Sequence, residues 1–294
     1  MKILVGNNAL GDPGGSETFT YALVMALIKK GHEVECVARR GGMVSNKLKA
    51  KDVPVHFSSV RGKFDLLLLS HYTSIELAQN AKGFKVQTCH GVFVGLEKPV
   101  YGMDQYVAVS EEVRKRLSIL GYASELIRNG VDCERFTPRK PINGRLDVIA
   151  SFSHSERVNT FLKDVFCKKR VIVCNKYKSP VWNVDIIMNE ADLVVSLGRG
   201  CYEAMACGRN VFIFDERTYS GQGAVGDGLV TKDNVSDFLK NNCSGRFSKK
   251  KFSPAEFVEE ANKYNKKHGE DLRKYALENL NIDKQADKYL SLMR

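Results

Sequence analysis

The chain has no run of about 18 apolar residues, so no segment of it is long enough to span a membrane as a helix. The start, MKILVGNNALGDPGG, turns to glycine and polar residues after one short apolar stretch. That does not read as a signal peptide, and the expected location is the cytosol. Eight cysteines are present, but no C-x-x-C pair and no Cys/His ladder at zinc spacing. This argues against a structural metal or a disulfide framework, and several of the cysteines fall inside apolar runs as reduced core thiols would. No homeodomain, zinc-finger or RNP-type pattern accompanies the basic residues, which argues against sequence-specific nucleic-acid binding.

What is present is a globular composition. The 294 residues are 43% apolar, enough for two ordinary domains with separate cores. Lys and Arg number 45 against 34 Asp and Glu, a net charge of +11. Such a balance favours anionic partners: nucleotides, an anionic membrane surface or nucleic acid. It is equally the balance of a chain that uses Lys on its solvated faces, since the basic residues are dispersed and RFSKKKF, from Arg246 to Phe252, is their densest cluster.

Strand and helix patterns alternate. KILVG reads as a buried strand and NNALGDPGGSE as a glycine-rich turn. TFTYALVMALIKKG reads as a helix with Phe19, Ala22, Leu23, Ala26 and Leu27 on one face, and HEVECVA as the next strand. This βαβ order implies a parallel sheet with helices on both faces. FDLLLLS, SIELAQNA, KVQTCHG, QYVAVS and EEVRKRLSILG continue it, with Ser110 as a helix N-cap. The strand-like runs end in polar residues, Ser70, His71, His90 and Ser110, at the edge where parallel sheets bind ligands. RNGVDCERFTPRKPINGR has two Asn-Gly turns, two prolines and no periodicity, and is the expected linker. Beyond it the alternation restarts through LDVIAS, RVIVCN, DIIMNEADLVVS and NVFIFD. From about Ser253 the chain reads as polar helices packed outside the domains. The expected division is 1–135 and 136–294.

Three places carry candidate chemistry, each with two readings. GDPGGSE, from Gly11 to Glu17, opens the first helix, where glycines and free N–H groups admit a phosphate or sugar hydroxyls, or simply make the turn. It is neither a G-x-G-x-x-G fingerprint nor a Walker A loop. His90 is a neutral hydrogen-bond donor to a ligand, or a polar strand end. In ADLVVSLGRGCYEAMACGRNVFIFD, Glu203 is expected in the first turns of a short helix, which Gly198 and Gly200 allow to begin sharply after a strand. There it accepts bonds from the two hydroxyls of a ribose, or it stabilises its own helix.

The segment EAMACGRNVFIFD resembles the nucleotide-binding run E-A-M-A-x-G-x-P-V of retaining GT-B glycosyltransferases of family 4. Gly14, Gly15, Ser16 and Glu17 resemble that family's G-G-x-E, AVSEEVRKRL its V-S-x-x-V-x-x-x-L segment, and NGVDCERFTP its N-G-V-D-x-x-x-F-x-P linker. The matches run in family order from near the start to about Asp215.

The resemblance implies an α/β fold of the GT-B type: two Rossmann-like, doubly wound domains with a cleft between them and C-terminal helices. The first domain would take the acceptor, a glycan, a lipid-linked molecule or another acceptor such as a protein, and the second a nucleotide-sugar donor. Glu203 would hold the ribose and His90 the transferring sugar or its phosphate side, with Gly14 and Gly15 lining the reaction centre. The implied reaction retains configuration, uses the leaving phosphate as base, and needs no metal or other cofactor. A soluble protein, or one peripheral at the cytosolic face of an anionic membrane, fits this picture.

Departures from the family pattern are specific. Its carboxylate ahead of Glu203 falls on Val195, so backbone N–H groups across Gly198, Arg199 and Gly200 are the expected substitute contacts. Its diphosphate-gripping S-R-x-x-x-x-K falls on SFSHSER, where Ser151 matches, Phe152 replaces the arginine and Arg157 replaces the lysine. Arg199 and His154 are the candidates to compensate. These losses keep open a catalytically silent protein that binds a nucleotide or glycan, and the net charge keeps open a basic surface protein for membrane or nucleic acid.

Overall fold

The computed structural model describes residues 1–93, 95–217, 221 and 223–293. They form two compact units, Met1–Gly130 together with the segment from Ile282 onward, and Val131–Asn281. In the first, β1 (Lys2–Leu10) leads through α1 (Gly15–Lys29) to β2 (Glu33–Gly41), α2 (Met43–Lys49) and β3 (Val55–His56). Then follow β4 (Gly62–Ser70), α3 (Tyr72–Leu77), β5 (Ala81–Cys89), a 3-10 turn at Gly95–Glu97, β6 (Gln105–Ala108), α4 (Glu111–Ile119) and β7 (Glu125–Leu126). The strands form one parallel sheet in the order β3-β2-β1-β4-β5-β6-β7. The order reverses between β1 and β4, which makes the carboxyl ends of those strands a switch point.

The apolar face expected for α1 is the buried one: Phe19, Ala22, Leu23, Ala26 and Leu27 are each at most 5% exposed. Ser110 caps α4, accepting the Val113 N–H. The first strand runs on through Asn7 and Asn8 to Leu10, further than its apolar start. The second helix and the two-residue strands β3 and β7 carry no pattern that the sequence reading found.

The second unit contains β8 (Val148–Ser151), α5 (Glu156–Val165), β9 (Arg170–Val173), α6 (Val184–Glu190), β10 (Leu193–Ser196), α7 (Arg199–Ala206) and β11 (Asn210–Glu216). They are followed by β12 (Ala224–Leu229), α8 (Val235–Lys240), α9 (Pro254–Ala261) and α10 (Lys266–Asn279). Its sheet runs β12-β11-β10-β8-β9, parallel except for the antiparallel edge pair β11–β12. Strand alternation assigns the two faces. Leu193 and Val195 join Ile149, Phe212 and Phe214 against α5 and α9, while Val194 joins Ala150, Val211 and Ile213 against α7 and α10. Here the switch point lies between β8 and β10.

The closing helix, α11 (Ile282–Ser291), belongs to the first unit. Ile282, Gln285, Ala286 and Tyr289 form its buried stripe. The Tyr289 ring lies against Phe19 at 6.4 Å and its hydroxyl is 3.0 Å from that of Thr88. Lys29–Asp283 and Lys30–Asp287 flank the same contact. The first unit therefore ends at Gly130 and regains the last helix, where the sequence reading placed one boundary at 135 and left the tail with the second half. All eight cysteines are free thiols, seven buried and Cys167 exposed. Among the described residues no helix is long and apolar enough to cross a membrane.

Candidate functional site

The residues singled out in the sequence divide between the units. Gly14, Gly15 and His90 lie at the carboxyl edge of the first sheet. Gly14 is the extended N-cap of α1, and its carbonyl accepts from Thr18. A side chain at Gly15 would meet nothing within 4 Å, so the local geometry does not require glycine there. One helical turn on, Phe19 meets the His90 ring edge-on, centroids 5.2 Å apart, which brings the glycine turn and the histidine together.

His90 is held by a buried network around the switch point. Its Nδ1 lies 3.1 Å from Asn129 Oδ1, an acceptor, so the neutral ring carries its proton there. Nε2 is then the acceptor for the Ser70 hydroxyl at 3.1 Å. The backbone N–H of His90 donates to Glu97 Oε2 at 2.6 Å, and His71 Nε2 reaches Glu97 Oε1 at 3.3 Å. His71 accepts the Asn8 N–H on Nδ1, so its own proton is on Nε2, facing Glu97. His71 also has a left-handed backbone, φ 72°, ψ 142°, a conformation of order 1–3 kcal/mol that surrounding contacts must sustain. Glu97 is buried, a penalty outweighed by the hydrogen bond from His71 and the nearby histidines, which hold its carboxyl below the usual range. No local pattern marks Glu97, and Asn129 stands in the N-G-V-D run of the linker with nothing to tie it to His90; Ser70 and His71 are legible only as polar strand ends.

Glu203, Arg199, Gly198 and Gly200 come together in the second unit, after β10. Gly198 adopts φ 59°, ψ −128°, and a Cβ on Gly200 would sit 2.2 Å from Ser196 Oγ. Gly198 is therefore demanded by the turn itself, while a side chain at Gly200 would require the Ser196 hydroxyl to rotate away. Glu203 is the fifth residue of α7, within the first turns as the pattern implied. Its Oε1 pairs with Arg199 Nε at 3.0 Å, four residues earlier, and both side chains are under 10% exposed. Burial raises the Glu203 pKa against the pull of Arg199 and Arg135, and burial lowers that of Arg199 against the pull of Glu203. Desolvation thus outweighs attraction on both sides of the pair. Behind it Arg135 stacks on Trp182 at 4.7 Å and lies 3.6 Å from Asp185.

Ser151 and Arg157 lie on the other face of the sheet, with α5. Ser151 is fully buried, its hydroxyl donating to Asn159 Oδ1 at 2.7 Å. Arg157 is three-quarters exposed and 3.5 Å from Glu216. It lines a cavity of about 260 Å³ with Phe161, Phe214, Lys251 and Phe252. His154, by contrast, is tied to Arg217, and Arg217 to the buried Asp215. Arg217 and Asp215 were not singled out in the sequence, because 63 and 62 residues separate them from His154 and Ser153.

No family model matches the chain, and no curated protein matches it. Solved structures do. HepE of Anabaena, solved with UDP-glucose, aligns over 99% of this chain and 98% of its own, with TM-score 0.65 and 13% identity. AviGT4, a glycosyltransferase involved in avilamycin A biosynthesis, aligns over 100% and 97%, with TM-score 0.58 and 14% identity. An α-glucosyltransferase solved with UDP and a 13-mer DNA containing an HMU base aligns over 100% and 99%, with TM-score 0.57 and 12% identity. The two Rossmann-like units, in this chain order, are the fold of the GT-B glycosyltransferases.

Proposed function

We propose that this protein is a glycosyltransferase that takes a sugar from a nucleotide-sugar donor held by the second unit and transfers it to a glycan or lipid-linked acceptor held by the first. The observation that carries the reading is the full-length likeness to HepE, a protein solved with UDP-glucose, in a chain that also has Glu203 and its E-A-M-A-x-G run on the helix after β10. UDP is accordingly the first nucleotide to test.

In this reading Glu203 binds the ribose, exchanging part of its bond to Arg199 for two hydroxyls of the ligand. Gly15 is glycine because donor or acceptor approaches the start of α1. His90, its tautomer fixed by Asn129 and Ser70, contacts the sugar being moved. Configuration is retained: the bond from the anomeric carbon to the phosphate oxygen breaks, and the acceptor oxygen bonds that carbon on the same face. The acceptor proton passes to the departing phosphate, and basic side chains, rather than a metal, stabilise that anion. The net charge of +11 fits a peripheral position at the cytosolic face of an anionic membrane.

A second reading, a nucleotide-binding protein without transferase activity, is favoured by two observations: Phe152 brings no charge to its turn, and Glu203 already has Arg199 as partner. Incubation with UDP-, GDP-, ADP- and CDP-sugars, with nucleoside diphosphate release as the readout, separates the two. Release from one donor supports the transferase. Binding without release supports the silent protein, and neither binding nor release contradicts both.

A further inference from the structure

At the carboxyl edge of the second sheet, the turn after β8 meets the residue after β11. Asp215, at the end of β11, is 1% exposed. Its Oδ1 accepts from the Ser153 hydroxyl and from the Glu216 N–H, and its Oδ2 lies 3.0 Å from Arg217 Nη2. The other terminal nitrogen of Arg217 donates to His154 Nδ1 at 2.9 Å. One side of the guanidinium is thus held by a buried carboxylate and another by an imidazole, while its side chain remains 21% exposed. A planar fork fixed in this way is preorganised for phosphate oxygens.

The imidazole adds an uncharged donor. Burial first, then the charges of Arg217 and Lys176, push the His154 pKa down to about 4. The ring is neutral at ordinary pH and, with Nδ1 accepting from Arg217, keeps its proton on Nε2 as a further donor. Tyr177 meets the ring edge-on at 4.8 Å and carries the Lys176 ammonium 5.1 Å over its own ring. The neighbouring carboxylates have partners of their own: Glu216 with Ser155 and Arg157, and Glu156 with Lys178 and Asn175. Among the described residues, Lys176 has no carboxylate partner. The result is a group of fixed donors with one cation, Lys176, that no carboxylate pairs among the described residues, beside the uncharged Phe152.

We propose that Arg217, His154 and Lys176 form a phosphate subsite that takes the diphosphate of the donor nucleotide. This assignment rests on the transferase or nucleotide-binding reading for the identity of the ligand, but the anion subsite itself rests on the geometry alone.

Calorimetric titration of UDP, uridine and inorganic pyrophosphate into wild type, Arg217→Gln and Lys176→Ala tests it. The expected result is a ten- to hundredfold loss of UDP and pyrophosphate affinity in Arg217→Gln, one charge-assisted bond's worth, with uridine unchanged. Lys176→Ala, at a half-exposed position that does not hold Asp215, is expected to lose severalfold for the same two ligands. Equal affinity of all three proteins for UDP would overturn the proposal, as would a parallel loss of uridine, which marks a structural role. If pyrophosphate binds in an Arg217-dependent way and UDP does not, the anion subsite stands and the nucleotide reading falls. If wild type binds neither, both fall.

Discussion

Removing Glu203 alone is expected to harm the second unit more than removing Glu203 and Arg199 together. The two side chains are buried and 3.0 Å apart. Deleting the carboxylate leaves a buried guanidinium without it, in the field of Arg135, at about 3–5 kcal/mol. Both pKa values shift toward the neutral forms, so attraction does not repay desolvation. Replacing both residues with apolar groups, Arg199→Met with Glu203→Leu, is therefore expected to lie within about 1–2 kcal/mol of wild type. Losing Arg199 alone leaves the carboxylate buried without the guanidinium and is expected to cost a similar amount, so the two single losses together exceed that of the double variant by several kcal/mol, well above the near-zero value of independent sites. Trp182 is the chain's one tryptophan and lies in the second unit, so urea unfolding followed by its fluorescence reports on that unit. Additive losses, or a loss below about 1 kcal/mol for Glu203→Ala, would refute the view of the pair as mutually dependent buried charges.

Three further outcomes follow from the geometry. His154, with a folded pKa near 4 against 6.5 unfolded, gives stability that is intact above pH 6.5 and lost as pH falls through 4. His154→Gln should narrow the acid loss by about 1–2 kcal/mol, allowing for the screening of a partly exposed ring, as read by urea series at pH 7 and pH 4. An unchanged difference between the two pH values would contradict the lowered pKa. Gly198→Ala should destabilise the α7 turn by about 1–3 kcal/mol, because its backbone, φ 59° and ψ −128°, is one that only glycine adopts without strain; unchanged unfolding would show that the turn adapts. Tyr289→Phe should lose about 0.5–1.5 kcal/mol with the Thr88 bond and Tyr289→Ala about 3–5. Amide exchange on α1 and β5 should rise with Tyr289→Ala, and exchange confined to the last helix would mean that α11 does not support the first unit.

Most of the strands and helices were legible because burial on two sheet faces leaves apolar runs such as Leu193–Ser196, and one-sided helix packing leaves a 3.6-residue stripe such as that of α1. The spacing of Ile282, Gln285, Ala286 and Tyr289 was there as well. A stripe states that one face is buried but not against what, so the return of α11 to the first unit was not legible. The edge strand β12, AVGDGL, was missed because its two glycines obscure the alternation, and β3 and β7 are too short to show one. In the site, the glycines of L-G-R-G announced a tight turn, and the structure supplies the reason in Gly198. The Arg199–Glu203 spacing of four is that of an ion pair on one helix face, but spacing does not tell a buried pair from a solvated one. Glu97 and the His154–Arg217–Asp215 chain join residues through tertiary contact, where no local period exists to betray them.

The central claim is that the second unit holds a nucleoside diphosphate through Glu203. Its most direct test is calorimetric titration of UDP, GDP, ADP and CDP into wild type and Glu203→Gln, whose near-identical shape leaves the fold best preserved. The account predicts micromolar binding of one nucleotide, weakened tenfold or more by the substitution. No binding of any of the four, or equal binding by both proteins, would contradict it.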